Sequence, residues 1–212
     1  MIRSSHNKVF CIGLNKTGTT TVEQVYRDLN LRVGKQTVAE YLLKDWGKRR
    51  FNKLYWFCRT ANAFQDTPFS LPFTYVALYS KFPNAKFILT VRNSPEDWYN
   101  SITKFHSNLW GDNNGIPPTP EQLKNAEYKY KGRAWEANRL MFTSPPDDPY
   151  HKETLIKHYL NHIQNVEYFF KDIPDSLIKI NVAVQDDYFR LCKFLNKKPV
   201  TDGFPWLNKT QA

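Results

Sequence analysis

Between Gly13 and Thr21 the chain reads Gly-Leu-Asn-Lys-Thr-Gly-Thr-Thr-Thr, crowding two glycines, a lysine and four threonine hydroxyls into one short run. Glycine lets backbone amides converge, and a helix starting here adds unsatisfied N–H groups and the positive end of its dipole. Such a nest binds anions. Lys16 supplies a full positive charge, and Thr17, Thr19, Thr20 and Thr21 supply hydroxyl donors, so phosphate is the natural ligand. The nucleotide-hydrolase signature G-x-x-x-x-G-K-[ST] is not met: Thr19 follows Gly18 where that motif has Lys, and the lysine stands two residues before Gly18.

Elements able to position this loop are legible on both sides of it. Residues 9–12, Val-Phe-Cys-Ile, form an apolar run bounded by Lys8 and Gly13, as in a strand buried on both faces. From Thr20 the apolar residues Val22, Val25, Tyr26 and Leu29 recur at i, i+3, i+4, i+7 spacing, predicting an amphipathic helix closed by residues 30–34. Residues 40–57, aromatic and basic, are predicted helical. A short strand is expected within residues 59–65, leaving Asp66 at a strand end where Asp-Thr-Pro-Phe breaks regularity.

A helix over residues 73–82 leads through Pro83-Asn-Ala to the clearest strand, residues 86–91, with Arg92 next. Ser94-Pro-Glu-Asp97 is a strong helix start, with Ser as N-cap, Pro at the first helical position and two acids in the positive first turn. That helix is expected to reach about His106. Residues 111–120 and 144–149 are loops by composition and bracket a polar helical segment, so residues 107–150 read as a lid-like insertion. A helix over residues 151–171, a strand within residues 175–182 and a helix over residues 187–195 complete the chain.

The order is broadly β-α-β-α-β-α-α-β-α. It predicts an α/β protein with a three-layer, P-loop-like fold, a mostly parallel central sheet flanked by helices, and ligands at the carboxyl ends of the strands. Loop 13–21, Asp66 and Arg92 all fall at such ends. A chain of 212 residues suffices for one full-sized core, so a single domain over residues 1–212 is expected.

At these residues the sequence resembles the sulfotransferase superfamily, and its small cytosolic-type branch best. The phosphosulfate-binding loop of that family reads Lys-[Ser/Thr]-Gly-Thr-[Thr/Ser], which Lys16 to Thr20 match throughout. In the family a strand ending in Arg, then a helix bearing Ser, grips the 3′-phosphate of PAPS (3′-phosphoadenosine 5′-phosphosulfate). Thr90-Val-Arg92-Asn-Ser-Pro-Glu-Asp-Trp98-Tyr-Asn-Ser101 looks like that segment. The likeness continues through Pro83-Asn-Ala-Lys-Phe-Ile-Leu, Tyr159-x-x-His162-x-x-x-Val166 and Phe204-Pro-Trp-Leu-Asn208, hence over most of the chain.

The resemblance implies transfer of a sulfuryl group from PAPS to a hydroxyl or amine of a small-molecule or glycan-like acceptor, leaving adenosine 3′,5′-bisphosphate and requiring no metal. Asn15, Lys16, Thr17, Gly18, Thr19, Thr20 and Thr21 would hold the donor's 5′ end, and Arg92 and Ser101 its 3′-phosphate. The planar fork of Arg92 suits phosphate, and Ser101 shares a helix face with Ser94 and Trp98. Its spacing from Arg92 is one residue longer than in many members, so Asn100 and Ser94 stand as alternatives. The Arg-Lys-Gly-x-x-Gly element that closes many members is absent, with Lys209 and its neighbours available instead. Lys16 would stabilise charge developing on the bridging oxygen. Asp66, in an Asp-x-Pro context that some relatives share, is the candidate base or else a turn cap. His162 is the family-like imidazole, with His106 and His158 also available. Residues 107–150 would then shape the acceptor pocket.

Composition narrows the alternatives. The formal net charge is +10, so anionic partners are favoured. Residues 44–53 mix bases and aromatics as a nucleic-acid surface can, but a solvated helix face or the rim of a polyanionic site explains the same charges, and nucleic acid is not the expected partner. Cys11, Cys58 and Cys192 are scattered and odd in number, reading as reduced packing residues. His158 and His162 stand four apart without an H-E-x-x-H pattern, so no metal site is expected. Trp46, Trp98, Trp110 and Trp135 read first as core and second as walls for an adenine or an acceptor. No apolar run approaches the ~20 residues of a membrane span, and Met1-Ile-Arg-Ser-Ser-His has no signal-peptide character, so a cytoplasmic protein without membrane association is expected. A P-loop nucleotide kinase or ATP-dependent phosphotransferase, and a non-catalytic nucleotide-binding protein, are the competing functions.

Overall fold

The computed structural model of the chain describes residues 8–205, so the opening residues 1–6, the end of the Phe204-to-Asn208 match and Lys209 lie outside the described residues. Two compact units divide it: one takes in the chain up to Arg92 and again from Asn165, the other is Asn93–Gln164. The first unit opens with β1 (Val9–Cys11), α1 (Thr19–Asp28), α2 (Gln36–Ala39), a 3-10 turn (Glu40–Leu42), α3 (Leu43–Gly47) and α4 (Asn52–Phe57). It continues with β2 (Ala63–Phe64), α5 (Thr74–Lys81) and β3 (Lys86–Thr90). The second unit holds α6 (Pro95–Trp110), α7 (Pro120–Asn125), β4 (Glu127–Tyr128), β5 (Tyr130–Lys131), α8 (Arg133–Met141) and most of α9 (Lys152–Phe170). The end of α9, a 3-10 turn (Pro174–Ser176), β6 (Leu177–Ile180) and α10 (Asp186–Phe194) belong to the first unit.

As expected, the protein is α/β with a parallel sheet flanked by helices. The four strands run in the order β2-β1-β3-β6, all parallel, with Val9 opposite Ala63 on one side and Lys86 on the other. Side chains alternate across the sheet, and the two faces carry different chemistry. Val9, Cys11, Ile88, Ile178 and Ile180 share one core with Val22, Val25, Tyr26 and Leu29 of α1 and Tyr188, Leu191 and Cys192 of α10. Phe10, Phe64 and Phe87 form an aromatic layer on the opposite side: Phe10 lies 5.5 Å from Phe64 and 5.8 Å from Phe69, and Phe87 lies 4.8 Å from Phe170. Burial on both faces is what a short parallel strand needs, and Phe10, Cys11 and Ile12 are fully buried.

Several boundaries differ from the periodicity. The helix expected over residues 40–57 is broken after Gly47, where Arg49 takes a left-handed φ of 56°. The strand expected in residues 59–65 shrinks to Ala63–Phe64, because Ala63 also bridges to Val33 and the preceding chain turns. The helix α6 outruns His106 to reach Trp110, whose ring packs 4.4 Å from that of His106 one turn back. Within residues 107–150 the polar segment resolves into α7, a tight antiparallel hairpin and α8, with Lys129 in the left-handed region at the hairpin tip. The Pro-rich stretch before α9 is fastened rather than loose: Arg139 Nη1 donates to Ser144 O at 2.7 Å, and Ser144 Oγ and Asn138 Nδ2 both donate to Pro149 O at 3.0 Å.

Candidate active site

Because the strands of the sheet are parallel, their carboxyl ends share one edge, and the chain leaves β1 into Gly13, β2 into Asp66 and β3 into Arg92. Gly13 has no room for a side chain: a Cβ there would lie 2.0 Å from Thr90 Oγ1 and 2.5 and 2.6 Å from the Thr90 carbonyl oxygen and nitrogen. The loop therefore exits against the end of β3. Thr17 stitches it there. Its fully buried hydroxyl donates to Leu14 O at 2.5 Å and meets Thr90 Oγ1 at 2.5 Å. A hydroxyl has one hydrogen, so Thr90 is the donor in the second contact. The Thr17 hydrogen is thus used inside the protein, and Thr19 is also buried, whereas Thr20 is exposed and Thr21 half-buried.

Lys16 occupies the left-handed region at φ 70°, and Arg92 Nε donates to its carbonyl oxygen at 2.7 Å. Burial, followed by the positive charge of Arg92, lowers the Lys16 pKa from its ordinary value, with Asp66 partly offsetting both. An ammonium destabilised in this way gains from an incoming anion. The loop ends at Gly18, whose φ of 101° and proximity to Val182 (2.5 Å from an added Cβ) both demand glycine. Gly18 at the N-cap has no side chain with which to cap α1, and no acid lies in the helix's first turn. By contrast α6 is capped by Ser94, whose Oγ accepts from Asp97 N at 3.0 Å, and carries Glu96 and Asp97 in its first turn. The first-turn N–H groups of α1 have no intrahelical acceptor, and such a helix start favours an anion.

Asp66 lies beside this loop at φ 60°. Its Oδ1 accepts from Asn15 Nδ2 and from Thr67 N, each at 2.6 Å, so it holds its own turn and ties that turn to the loop. Asn15 Oδ1 in turn accepts from Ser70 Oγ at 2.6 Å. Burial raises the Asp66 pKa above the ordinary carboxylate value; the Thr67 and Asn15 hydrogen bonds oppose this, and the Glu40 charge adds to it. A carboxyl raised in this way holds a proton more readily, as a general base requires. Ser70, Thr90 and Glu40 carry no local signal in the sequence, because their partners are distant along the chain.

Ser101 and His162 belong to the second unit. Ser101 is half-buried on α6, and His162 is buried on α9. His158, one turn before His162, packs against Phe142 with ring centroids 4.9 Å apart, and burial followed by the neighbouring His162 lowers its pKa to about 4. His106 Nδ1 lies 2.8 Å from the Tyr150 hydroxyl. Trp98 is core and stacks on Tyr159 at 5.0 Å, and in the first unit the buried Trp46 donates from Nε1 to Thr74 Oγ1 at 2.7 Å.

Cys11, Cys58 and Cys192 are free and buried. Among the described residues no cluster of three or more His, Cys, Asp or Glu side chains could hold a metal ion, and no helix is long and apolar enough to cross a membrane. Comparison with curated proteins finds no match. The family model described as Sulfotransferase domain matches residues 8–212, which takes in the β1 loop, Asp66, the β3–Arg92 segment and α9. The chain belongs to the sulfotransferase superfamily.

Proposed function

We propose that this protein is a PAPS-dependent sulfotransferase acting on a hydroxyl or amine of a small-molecule or glycan-like acceptor. Its family moves sulfuryl groups and generally uses PAPS. The observation that carries the reading is the Arg92 Nε to Lys16 O hydrogen bond, which joins two cationic residues to the uncapped N-terminus of α1 at one sheet edge. A ligand with phosphates at both its 5′ and 3′ ends matches that charge distribution.

In this reading the loop from Asn15 to Thr21 binds the 5′-phosphate, largely through backbone N–H groups. Arg92 binds the 3′-phosphate. PAPS supplies an activated sulfuryl group. Lys16 neutralises charge on the bridging oxygen as the S–O bond to the 5′-phosphate breaks and its electron pair stays with adenosine 3′,5′-bisphosphate. The acceptor oxygen or nitrogen forms the new bond to sulfur, and Asp66 takes the proton it releases. Asp66 is preferred to His162 because its raised carboxyl lies beside Asn15 and Lys16. We assign acceptor recognition to residues 107–150, where Trp110, Tyr128 and Tyr150 gather near His106. A cytoplasmic location fits three free buried thiols.

Calorimetry tests the reading. Adenosine 3′,5′-bisphosphate is expected to bind without magnesium and far more tightly than ATP or GTP, and Lys16→Ala is expected to abolish transfer from PAPS to a broad acceptor panel. Undetectable bisphosphate binding, or magnesium-dependent ATP turnover, would refute it. Bisphosphate binding with no transfer to any acceptor would favour a non-catalytic nucleotide-binding protein.

A further inference from the structure

The hydrogen bonds around Asp66 form a directed chain. A carboxylate can only accept, so the Asn15 amide must turn its NH2 group toward Asp66. That leaves Asn15 Oδ1 facing Ser70, and the fully buried Ser70 hydroxyl donates to it at 2.6 Å. The direction of every hydrogen in Ser70–Asn15–Asp66 is therefore fixed by chemistry, not by choice of rotamer. Thr67 N adds a second donor to the same carboxylate oxygen. The Asn15 and Thr67 N bonds both fall on Oδ1, and the Thr67 side chain adds a further hydrogen bond to the carboxyl group.

Sequence distance makes this arrangement specific to the fold. Asn15 lies in the loop after β1, next to Lys16, while Asp66 and Ser70 lie in the turn after β2. Ser70 N also donates to Asp66 O at 2.9 Å, which holds the two ends of that turn together. Gln36 Nε2 donates to Thr67 O at 2.8 Å from the other side. The turn is thus braced by α2, and the loop by the turn.

We propose that Ser70 and Asn15 are positioning residues that hold the Asp66 carboxylate, through Oδ1, in the orientation in which it takes the acceptor proton, an inference that rests on the sulfuryl-transfer reading. Ser70 needs no contact with donor or acceptor; it acts by keeping the Asn15 amide from rotating. The same chain couples the base to the loop that carries Lys16, so the proton acceptor and the group stabilising the leaving oxygen share one scaffold.

The charged and titratable groups that bear on Asp66 are Glu40, from the 3-10 turn, Lys16, from the loop, and Cys11, from β1. Cys11 stays a neutral thiol, since burial pushes it up to about 12. Glu40 raises Asp66, and the Asn15 donor lowers it. Removing the Asn15 donor therefore raises the Asp66 midpoint further, and freeing the Asn15 amide by removing Ser70 acts in the same direction.

The test is a pH titration of the full chain labelled with 13C at aspartate carboxyls, the Asp66 resonance being assigned by its loss in Asp66→Asn. Asn15→Ala and Ser70→Ala are expected to move the Asp66 midpoint upward, and Ser70→Thr, which keeps the hydroxyl, to restore it. With PAPS and a responsive acceptor, Ser70→Ala is expected to lower kcat on the order of tenfold with KM for PAPS within about twofold, because only orientation of the base is lost. An Asp66 midpoint unmoved in both alanine variants overturns the positioning role. So does an equal loss in Ser70→Ala and Ser70→Thr in proteins that melt like the wild type. Bisphosphate calorimetry on the wild type separates the two claims: absent binding sinks the sulfuryl-transfer reading, whereas binding with an unmoved Asp66 midpoint sinks this one.

Discussion

Arg92 holds Lys16 by its backbone: the guanidinium Nε donates to the Lys16 carbonyl oxygen at 2.7 Å while Lys16 sits in the left-handed region at φ 70°. A non-glycine residue there is strained by roughly 1 kcal/mol, so the conformation persists because neighbouring groups enforce it. One side chain thus sets the conformation of the loop that carries Lys16.

Arg92→Lys keeps a positive charge but loses the planar fork and the Nε donor. Affinity for adenosine 3′,5′-bisphosphate should fall about 10- to 100-fold, equivalent to ~1.4–2.7 kcal/mol. Adenosine 5′-phosphate should also bind more weakly, by a smaller factor, because the loop loses its brace. Calorimetry with both ligands decides the point: an unchanged affinity for the 5′-phosphate would mean that Arg92 serves the 3′-phosphate alone.

Thr17→Val removes a hydroxyl that bridges Leu14 O and Thr90 Oγ1 inside the protein. The two former partners remain buried without it, so stability should drop by about 1–3 kcal/mol in denaturant titration. Thr17→Ser should recover most of the loss. A valine variant as stable as the wild type would show that the loop is held by Gly13 and Arg92 alone.

His158 makes stability depend on pH. Burial lowers its pKa from the ordinary 6.5 to about 4, so between those values the unfolded chain binds a proton that the folded protein refuses. Its contribution is complete above pH 6.5 and is lost as pH falls toward about 4. Thermal midpoints measured across that window should decline, and His158→Leu should flatten the decline. The imidazole resonances of His158 should remain those of the neutral ring at pH 5.5, which NMR reads directly.

Tyr26 is fully buried against the sheet, and among the described residues its hydroxyl finds no hydrogen-bond partner. Tyr26→Phe removes an unsatisfied polar atom without changing the packing of the ring. Stability should be unchanged or rise by up to about 1 kcal/mol, where loss of a paired buried hydroxyl would cost a similar amount. Chemical denaturation distinguishes the two outcomes by sign.

Much of the framework around this site was legible in the sequence. The turn between β1 and α1 was legible in the Gly13-to-Thr21 run because glycine acts through local backbone geometry. The strands β1 and β3 were legible because apolar runs bounded by Lys8 and Gly13, or by Pro83 and Arg92, have few other fates. Ser94-Pro95 marked the start of α6 for the same reason, since a cap and a proline restrict only their own neighbours.

What lies between distant segments was decided by tertiary structure. Nothing in the spacing of Thr17 and Thr90 says that one hydroxyl is consumed by the other, nor that Gly13 is required because Thr90 occupies the space of its Cβ. The left-handed Arg49 and the two-residue β2 depart from the local helical and strand preferences of their segments. Asp66 shows the division most clearly. Its place after a strand followed from the sequence alone, by local pattern; the identity of the groups that orient its carboxylate, Asn15 and Ser70, came only from the parallel register that brings the ends of β1 and β2 to one edge.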